Sequence, residues 1–317
     1  MKIVVIEPLG ISEEEIRSIA KPITDKGHEL IVHNERTTEV EVLKERVNGM
    51  DVIVLADMPL KGEIIESNDK LKMISVAFTG VDHVDLEACK ENHIVVSNSA
   101  GYSTPSVAEL TYGLMISLLR NIVPLDDATR KGKTKAGFNQ IDLHGKTLGV
   151  IGTGAIGSKV ADIGLAFGCK LLAYNRSENE DLKNKGVTYL SLEELLKESD
   201  IVSIHLPLTK ETKGLIDAEK LKLMKKDALL INTARGPIVD NAALADALNN
   251  GQIGGAGIDV FDMEPPLPSD YPLLNAPNTV LTPHIGFATK EAMKRRAEIT
   301  FENINKWLEG NPQNRVI

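Results

Sequence analysis

A chain of 317 residues is long for a single hydrophobic centre, so two domains are expected, and 42% hydrophobic with 26% charged residues and no low-complexity tract excludes disorder and fibrous folds. A formal net charge of -9 opposes a nucleic-acid surface, because phosphates are bound by clustered cations and repelled by an acidic field. Cys89 and Cys169 lie far apart, with no CxxC pair and no histidine at ligand spacing, so neither a disulfide framework nor a metal site is expected.

The N-terminal "MKIVVIEPLG" enters a short apolar strand and then a turn, without the charged region, long apolar region and small-residue cleavage site of a signal peptide. No uncharged apolar run approaches the roughly eighteen residues that a membrane span needs, so a cytoplasmic chain without membrane contact is expected. Short apolar runs then alternate with amphipathic stretches: "KIVVI", "ELIVH", "DVIVLA", "KMISVAF" and "IVVSN". They are rich in Val and Ile and bounded by Gly, Asp or Asn, as strands buried on both faces of a parallel sheet should be. Residues 1–100 therefore read as a small α/β domain.

Thr104, Pro105 and the Ser106-to-Glu109 spacing of a capping box announce a long helix whose apolar positions continue to Leu119. The cationic run from Arg130 to Gly137 has neither interleaved aromatics nor an amphipathic period and reads as a solvated loop. A second βα series follows, with strands at "KTLGVIG", "CKLLAYN", "VTYL", "DIVSIHL", "DALLINTA", "GAGIDVF" and "NTVLTP", so residues 101–288 read as a second doubly wound sheet. The helix expected from Thr289 to Leu308 crosses back, so that 289–317 completes the first domain and makes it discontinuous.

In "GVIGTGAIGSKVADIGLAF" the residues Gly152, Gly154 and Gly157 keep G-x-G-x-x-G spacing, directly after a strand and directly before a helix. In that context Gly152 permits a tight turn, Gly154 lets backbone approach a pyrophosphate, and Gly157 lets the helix pack close to the strand. The amides of Ala155 and Ile156 then point from a helix N-terminus, whose dipole favours phosphate. About twenty residues further on, a dinucleotide site usually offers an acid to the adenosine ribose. "LLAYNRSEN" offers Asn175 and Arg176 instead. Asn175 cannot repel a 2'-phosphate, Arg176 can bind one bidentately, and the Ser177 hydroxyl can donate a further hydrogen bond. NADP is therefore the preferred cofactor. NAD stays open, with Arg176 stacked on adenine or in solvent and Asn175 serving the ribose hydroxyls.

Three later strands each end on an unusual polar residue, where ligands of open α/β sheets lie. "LLINTARGPIVD" gives Arg235, "GIDVFDMEPP" gives Asp259 and Glu264, and "VLTPHIGFAT" gives His284. Arginine can clamp a carboxylate, histidine can exchange a proton near neutral pH, and a carboxylate on its other ring nitrogen orients it and favours imidazolium. Together they fit reduction of a 2-oxo acid. Singly, His284 could be a loop residue, Glu264 a surface turn and Arg235 a helix cap.

The segments "VIGTGAIG", "HLPLT", "INTARGPIVD", "GAGIDVFDMEP" and "LTPHIG", in this order and spacing, resemble the D-isomer-specific 2-hydroxyacid dehydrogenases across essentially the whole chain. The resemblance implies an α/β protein of two doubly wound parallel-sheet domains, a Rossmann nucleotide-binding domain and a smaller flavodoxin-like substrate domain. It assigns Arg235 to the substrate carboxylate and carbonyl, makes His284 the acid/base and makes Glu264 its partner. Thr233, Ala234 and Asp259 are then expected beside the nicotinamide end of the cofactor, with His205 and Pro207 lining its site. "FTGVDHVD" is similar to the family's substrate-carboxylate loop, which makes the amides of Thr79, Gly80 and Val81 substrate-binding candidates. A homodimer through the nucleotide domain is implied as well.

"LADMPLKGEII" lacks the arginines that a phosphorylated substrate would call for, so a small unphosphorylated acid is expected, and glyoxylate or hydroxypyruvate with NADPH leads by family analogy. D-lactate and other small D-2-hydroxy acids, with NAD, stay open. Glu264 beside His284 argues against a formate dehydrogenase, where the resemblance calls for glutamine. An NAD(P)-sensing, corepressor-like binding protein keeps the same machinery and is the rival of a different class; the chain lacks the long disordered extension such a role suggests. Met58, Phe78 and Tyr102 are candidates for the substrate-pocket wall, with a core or interface role equally open.

Overall fold

Every apolar run of the N-terminal series becomes a parallel strand in the computed structural model, which describes residues 1–317. The chain divides into two compact units, Met1–Ser103 with Ala288–Ile317, and Thr104–Phe287. In the first unit β1 (Lys2–Val5), β2 (Glu29–Val32), β3 (Val52–Leu55), β4 (Met73–Val76) and β5 (Val95–Asn98) lie in the order β2-β1-β3-β4-β5. This is the flavodoxin-type order, with its switch point between β1 and β3. β3 and β4 bury every residue, which is why "VIVL" and "MISV" carry no polar alternation beyond the buried Ser75.

The helix Lys290–Leu308 begins at Thr289, whose side chain accepts from the Ala292 amide, and it sends Phe301 and Ile304 into the core formed by Ile3, Val5, Val52 and Val54. Beyond it the tail runs antiparallel beside β5, with a Ser97–Arg315 bridge and the Val316 amide donating to Val96 at 2.8 Å. The tail thereby covers a sheet edge that would otherwise present unpaired backbone groups.

The second unit holds β6 (Thr147–Ile151), β7 (Lys170–Tyr174), β8 (Thr188–Tyr189), β9 (Ile201–Ile204), β10 (Leu229–Asn232), β11 (Gly255–Ile258) and β12 (Thr279–Leu281). Their order is β12-β11-β10-β9-β6-β7-β8, all parallel. Successive side chains serve opposite faces: Val150, Leu171 and Ile231 enter one core cluster, while Ile151, Leu172 and Leu230 enter the other. The strand order reverses between β6 and β9, so the loops that follow those strands lie at the switch point, where doubly wound sheets bind ligands.

Two expectations are corrected here. The helix Thr104–Leu119 is already under way at Thr104, so Ser106 lies buried inside its first turn and is not an N-cap. The unit boundaries fall after 103 and 287, where 100 and 288 were expected, because residues 99–103 are tied back to the first unit. The Ser99 amide donates to Phe78 and Arg295 Nε donates to the Tyr102 carbonyl. Met58, Phe78 and Tyr102 are at most 8% exposed and belong to the packed interior of that unit.

Candidate active site

The loop after β6 is built by its glycines. Gly152 has φ +96°, and a Cβ there would stand 2.7 Å from the His205 carbonyl oxygen. A Cβ on Gly157 would overlap the Gly152 carbonyl oxygen, so the helix Ala155–Ala166 can approach β6 only with glycine at that position. Gly154 faces open space, and no side chain caps the helix that starts after it. The amides of Ala155 and Ile156 lie in that uncapped first turn, an arrangement that fits a pyrophosphate.

Beyond β7, Asn175 Nδ2 donates to the Ser177 carbonyl at 2.8 Å, which folds the turn back on itself. Arg176 and Ser177 are exposed and Asn175 is half-buried. A hydrogen bond from the Thr209 side chain, another from its own backbone amide, and then the positive charge of Arg176 hold the Glu211 carboxyl below its ordinary range. Four residues that the sequence did not single out tie this turn to the glycine loop. Tyr189 Oη donates to Thr153 Oγ1 at 2.9 Å and accepts from the Asn179 amide, while Asn179 Nδ2 reaches Ser158 Oγ at 3.3 Å.

After β9, His205 Nε2 and Ser203 Oγ share a 2.8 Å hydrogen bond, and burial pushes the imidazole down to about 3. His205 is thus neutral at physiological pH and is excluded from proton exchange there. Its carbonyl packs on Gly152, so it shapes the glycine loop through backbone. Pro207 is exposed, and its carbonyl accepts from Thr212 Oγ1 at 2.7 Å.

The neighbouring strands β10, β11 and β12 end on the polar residues of the second half of the chain. Asn232, fully buried, brackets the first of these turns: its Oδ1 accepts from the Ala234 amide and its Nδ2 donates to the Arg235 carbonyl, both at 3.0 Å. Thr233 shares a 3.0 Å hydrogen bond with Thr111 on the helix Thr104–Leu119. Arg235 is partly buried, with Nη1 on the Ala234 carbonyl at 2.8 Å and no carboxylate bound to it in the chain.

Asp259, 1% exposed, organises the last turn. Its carboxylate accepts from Thr282 Oγ1 at 2.6 Å and from the amides of Ile285 and Gly286 at 2.8 Å, and its carbonyl accepts from the His284 amide. His284 itself sits at φ +57°, an uncommon backbone region for a non-glycine residue, and the surrounding bonds from Asp259 hold it there. Its Nδ1 lies 3.0 Å from both Glu264 oxygens, and its ring meets Phe287 edge to face with centroids 5.0 Å apart. Nε2 has no partner within the protein. A carboxylate on Nδ1 and a free Nε2 make an oriented group able to give or take one proton.

In the first unit, Asn98 Nδ2 donates to the Thr79 carbonyl at 2.7 Å and the Val84 amide donates to Val81 at 3.0 Å. The amides of Thr79, Gly80 and Val81 donate to nothing within the chain, and Gly80 and Val81 are half-buried. No group of three or more His, Cys, Asp or Glu side chains gathers to hold a metal ion.

Against known proteins, the family described as D-isomer specific 2-hydroxyacid dehydrogenase, NAD binding domain, matches residues 112–286. A glyoxylate reductase from Korarchaeum cryptofilum is 39% identical over 291 residues, covering 89% of this chain and 87% of that protein. Among solved structures, an acyclic imino acid reductase in complex with NADPH and D-Arg superposes with TM-score 0.90 at 31% identity, covering all of both chains. The D-lactate dehydrogenase of Aquifex aeolicus, complexed with NAD and lactic acid, superposes with TM-score 0.85 at 33% identity, covering 100% of this chain and 99% of that one.

Proposed function

Because the chain belongs to the D-isomer-specific 2-hydroxyacid dehydrogenases, we propose that it reduces a small unphosphorylated 2-oxo acid, of the glyoxylate or hydroxypyruvate kind, to the D-2-hydroxy acid, with NADPH as the preferred donor. The observation that carries this reading is the His284–Glu264 pair at 3.0 Å, with Nε2 left free. When bound, the reduced nicotinamide supplies a hydride to the carbonyl carbon. His284 gives its Nε2 proton to the forming alkoxide, and Glu264 on Nδ1 orients the ring for that transfer. Arg235, free of any internal carboxylate, is assigned to the substrate carboxylate and the charge that develops on the carbonyl oxygen.

The second unit is proposed as the dinucleotide-binding domain and the first as the substrate domain. Gly152, Gly154, Ala155, Ile156 and Gly157 take the pyrophosphate, Asn175, Arg176 and Ser177 the ribose 2'-phosphate, and His205, Pro207, Thr233, Ala234 and Asp259 the rest of the cofactor. The unengaged amides of Thr79, Gly80 and Val81 are proposed as donors to the substrate carboxylate. The preference for NADP rests on the absence of an acid at Asn175 and the exposure of Arg176. The glyoxylate reductase likeness supports the substrate class. No helix is long and apolar enough to cross a membrane, and a cytoplasmic location is proposed with that. A homodimer through the second unit is part of the proposal: the helix Ile122–Arg130 exposes Ile122 and Val123 beside a groove lined by Leu118, Pro124, Ile141 and Val280.

The test is steady-state reduction of a panel of small 2-oxo acids with NADPH and with NADH. Turnover of glyoxylate or hydroxypyruvate, with higher kcat/KM for NADPH, is expected. Efficient turnover of pyruvate alone, or a preference for NADH, would replace the substrate or the cofactor assignment respectively.

A further inference from the structure

Glu264 has 76% of its side chain exposed, so its grip on His284 depends on whatever fixes the loop that carries it. Residues 262–270 are mostly exposed, but the flanking residues are not: Phe261 is 8% exposed and Tyr271 4%. These two rings meet edge to face, with centroids 5.6 Å apart and planes at 89°. Tyr271 Oη donates to Asp262 Oδ1 at 2.6 Å, and the Tyr271 amide donates to the Pro268 carbonyl at 3.0 Å. The buried side chain of Asn241 faces the same hydroxyl without a well-formed hydrogen bond. On the other side, Gly236 packs so closely on the Phe261 carbonyl that a Cβ would overlap it, which joins the turn after Arg235 to the same point.

We infer that Phe261, Asp262 and Tyr271 form a clasp at the base of the 262–270 loop, and that Asp262 and Tyr271 are positioning residues which set Glu264 against His284. The inference rests on the reading of Glu264 and His284 as the acid/base pair. An aromatic edge-to-face contact and a charge-assisted hydrogen bond both have directional preferences, so together they restrain the loop more tightly than burial alone. The groups facing the His284 ring are Glu264 and Phe287, with Asp259 bonded to the backbone on both sides of it. Those facing the Tyr271 ring and hydroxyl are Phe261, Asp262 and Asn241.

The experiment compares pH profiles of kcat for the wild type, Tyr271→Phe, Asp262→Ala, Asp262→Asn, Glu264→Gln and the Tyr271→Phe/Glu264→Gln double variant. Tyr271→Phe keeps the ring contact and removes only the hydroxyl. It is expected to lower kcat roughly tenfold or more, since small misplacements of a reacting group carry penalties up to about a hundredfold, while KM for the cofactor stays the same. Its alkaline limb should move to lower pH, in the same direction as in Glu264→Gln. Asp262→Ala should match it, Asp262→Asn should recover part of the loss, and the double variant should be no slower than Glu264→Gln alone. An unmoved Tyr271→Phe profile beside a moved Glu264→Gln profile, or additive losses in the double variant, overturns the clasp. A Glu264→Gln profile that stays in place overturns the acid/base reading itself, and the clasp with it.

Discussion

His284 combines a left-handed backbone with a side chain that projects one nitrogen to Glu264 and leaves the other free, and three hydrogen bonds to the buried Asp259 carboxylate secure the turn. Removing the imidazole deletes the proposed proton donor and leaves the glycine loop untouched. His284→Ala is therefore expected to lower kcat by about a hundred- to ten-thousandfold, the range general acid catalysis contributes, with cofactor affinity retained in a fluorescence titration. At the proposed ribose end, Asn175→Asp places a charge that would repel a 2'-phosphate, and Arg176→Ala removes the cation proposed to attract it. The first should reverse the proposed NADPH preference in kcat/KM and the second weaken it, with NADH kinetics little changed by the second. His205 is held neutral by its burial. The unfolded chain takes up a proton at this residue below about pH 6.5, while the folded chain resists until about 3. Stability from this source is therefore complete above neutrality and is lost as pH falls from about 6.5 towards 3. Tm measured across that window should fall less steeply in His205→Asn than in the wild type.

At the scale of elements, the glycine loop and the turn after β7 behave as one piece, because Tyr189 links Thr153 to Asn179 and Asn179 reaches Ser158. The motif and its spacing were legible in sequence, since each glycine answers a local backbone demand. The tyrosine was not, because its partners lie 36 and 10 residues away and nothing local marks them. The C-terminal helix shows a different kind of dependence. Its Phe301 and Ile304 fill the core of a sheet whose strands all lie in the first hundred residues of sequence. Phe301→Ala is expected to destabilise the protein by about 3–5 kcal/mol, as core aromatic truncations do. Denaturant unfolding should show the loss in the midpoint. A change below about 1 kcal/mol would mean the helix contributes little to that core.

At the scale of the whole molecule, Val123 at 56% and Ile122 at 49% exposure are large apolar surfaces that the chain by itself leaves in water. If a second copy covers them, Val123→Glu should convert dimer to monomer in sedimentation equilibrium, whereas a wild-type monomer would remove the dimer from the proposal. The strands of both sheets could be read from sequence because a strand buried on both faces is a short run of Val, Ile and Leu between turn residues, a local property. The order of motifs around Arg235, Asp259 and His284 could be read for a related reason: parallel strands deliver their C-terminal ends to one edge. Met58, Phe78 and Tyr102 stayed open between pocket wall and core in sequence, because an apolar side chain looks the same there in either place, and all three are buried. Sequence by itself thus determined the strands, the glycine turn and the chemical types available to a site. Only the tertiary structure decided that Glu264 reaches His284 across 20 residues, that Asp259 holds the turn of His284 across 26 and 27, and that Asn232 brackets Arg235. Those are hydrogen bonds whose geometry exists only once separate loops have been brought to the same sheet edge.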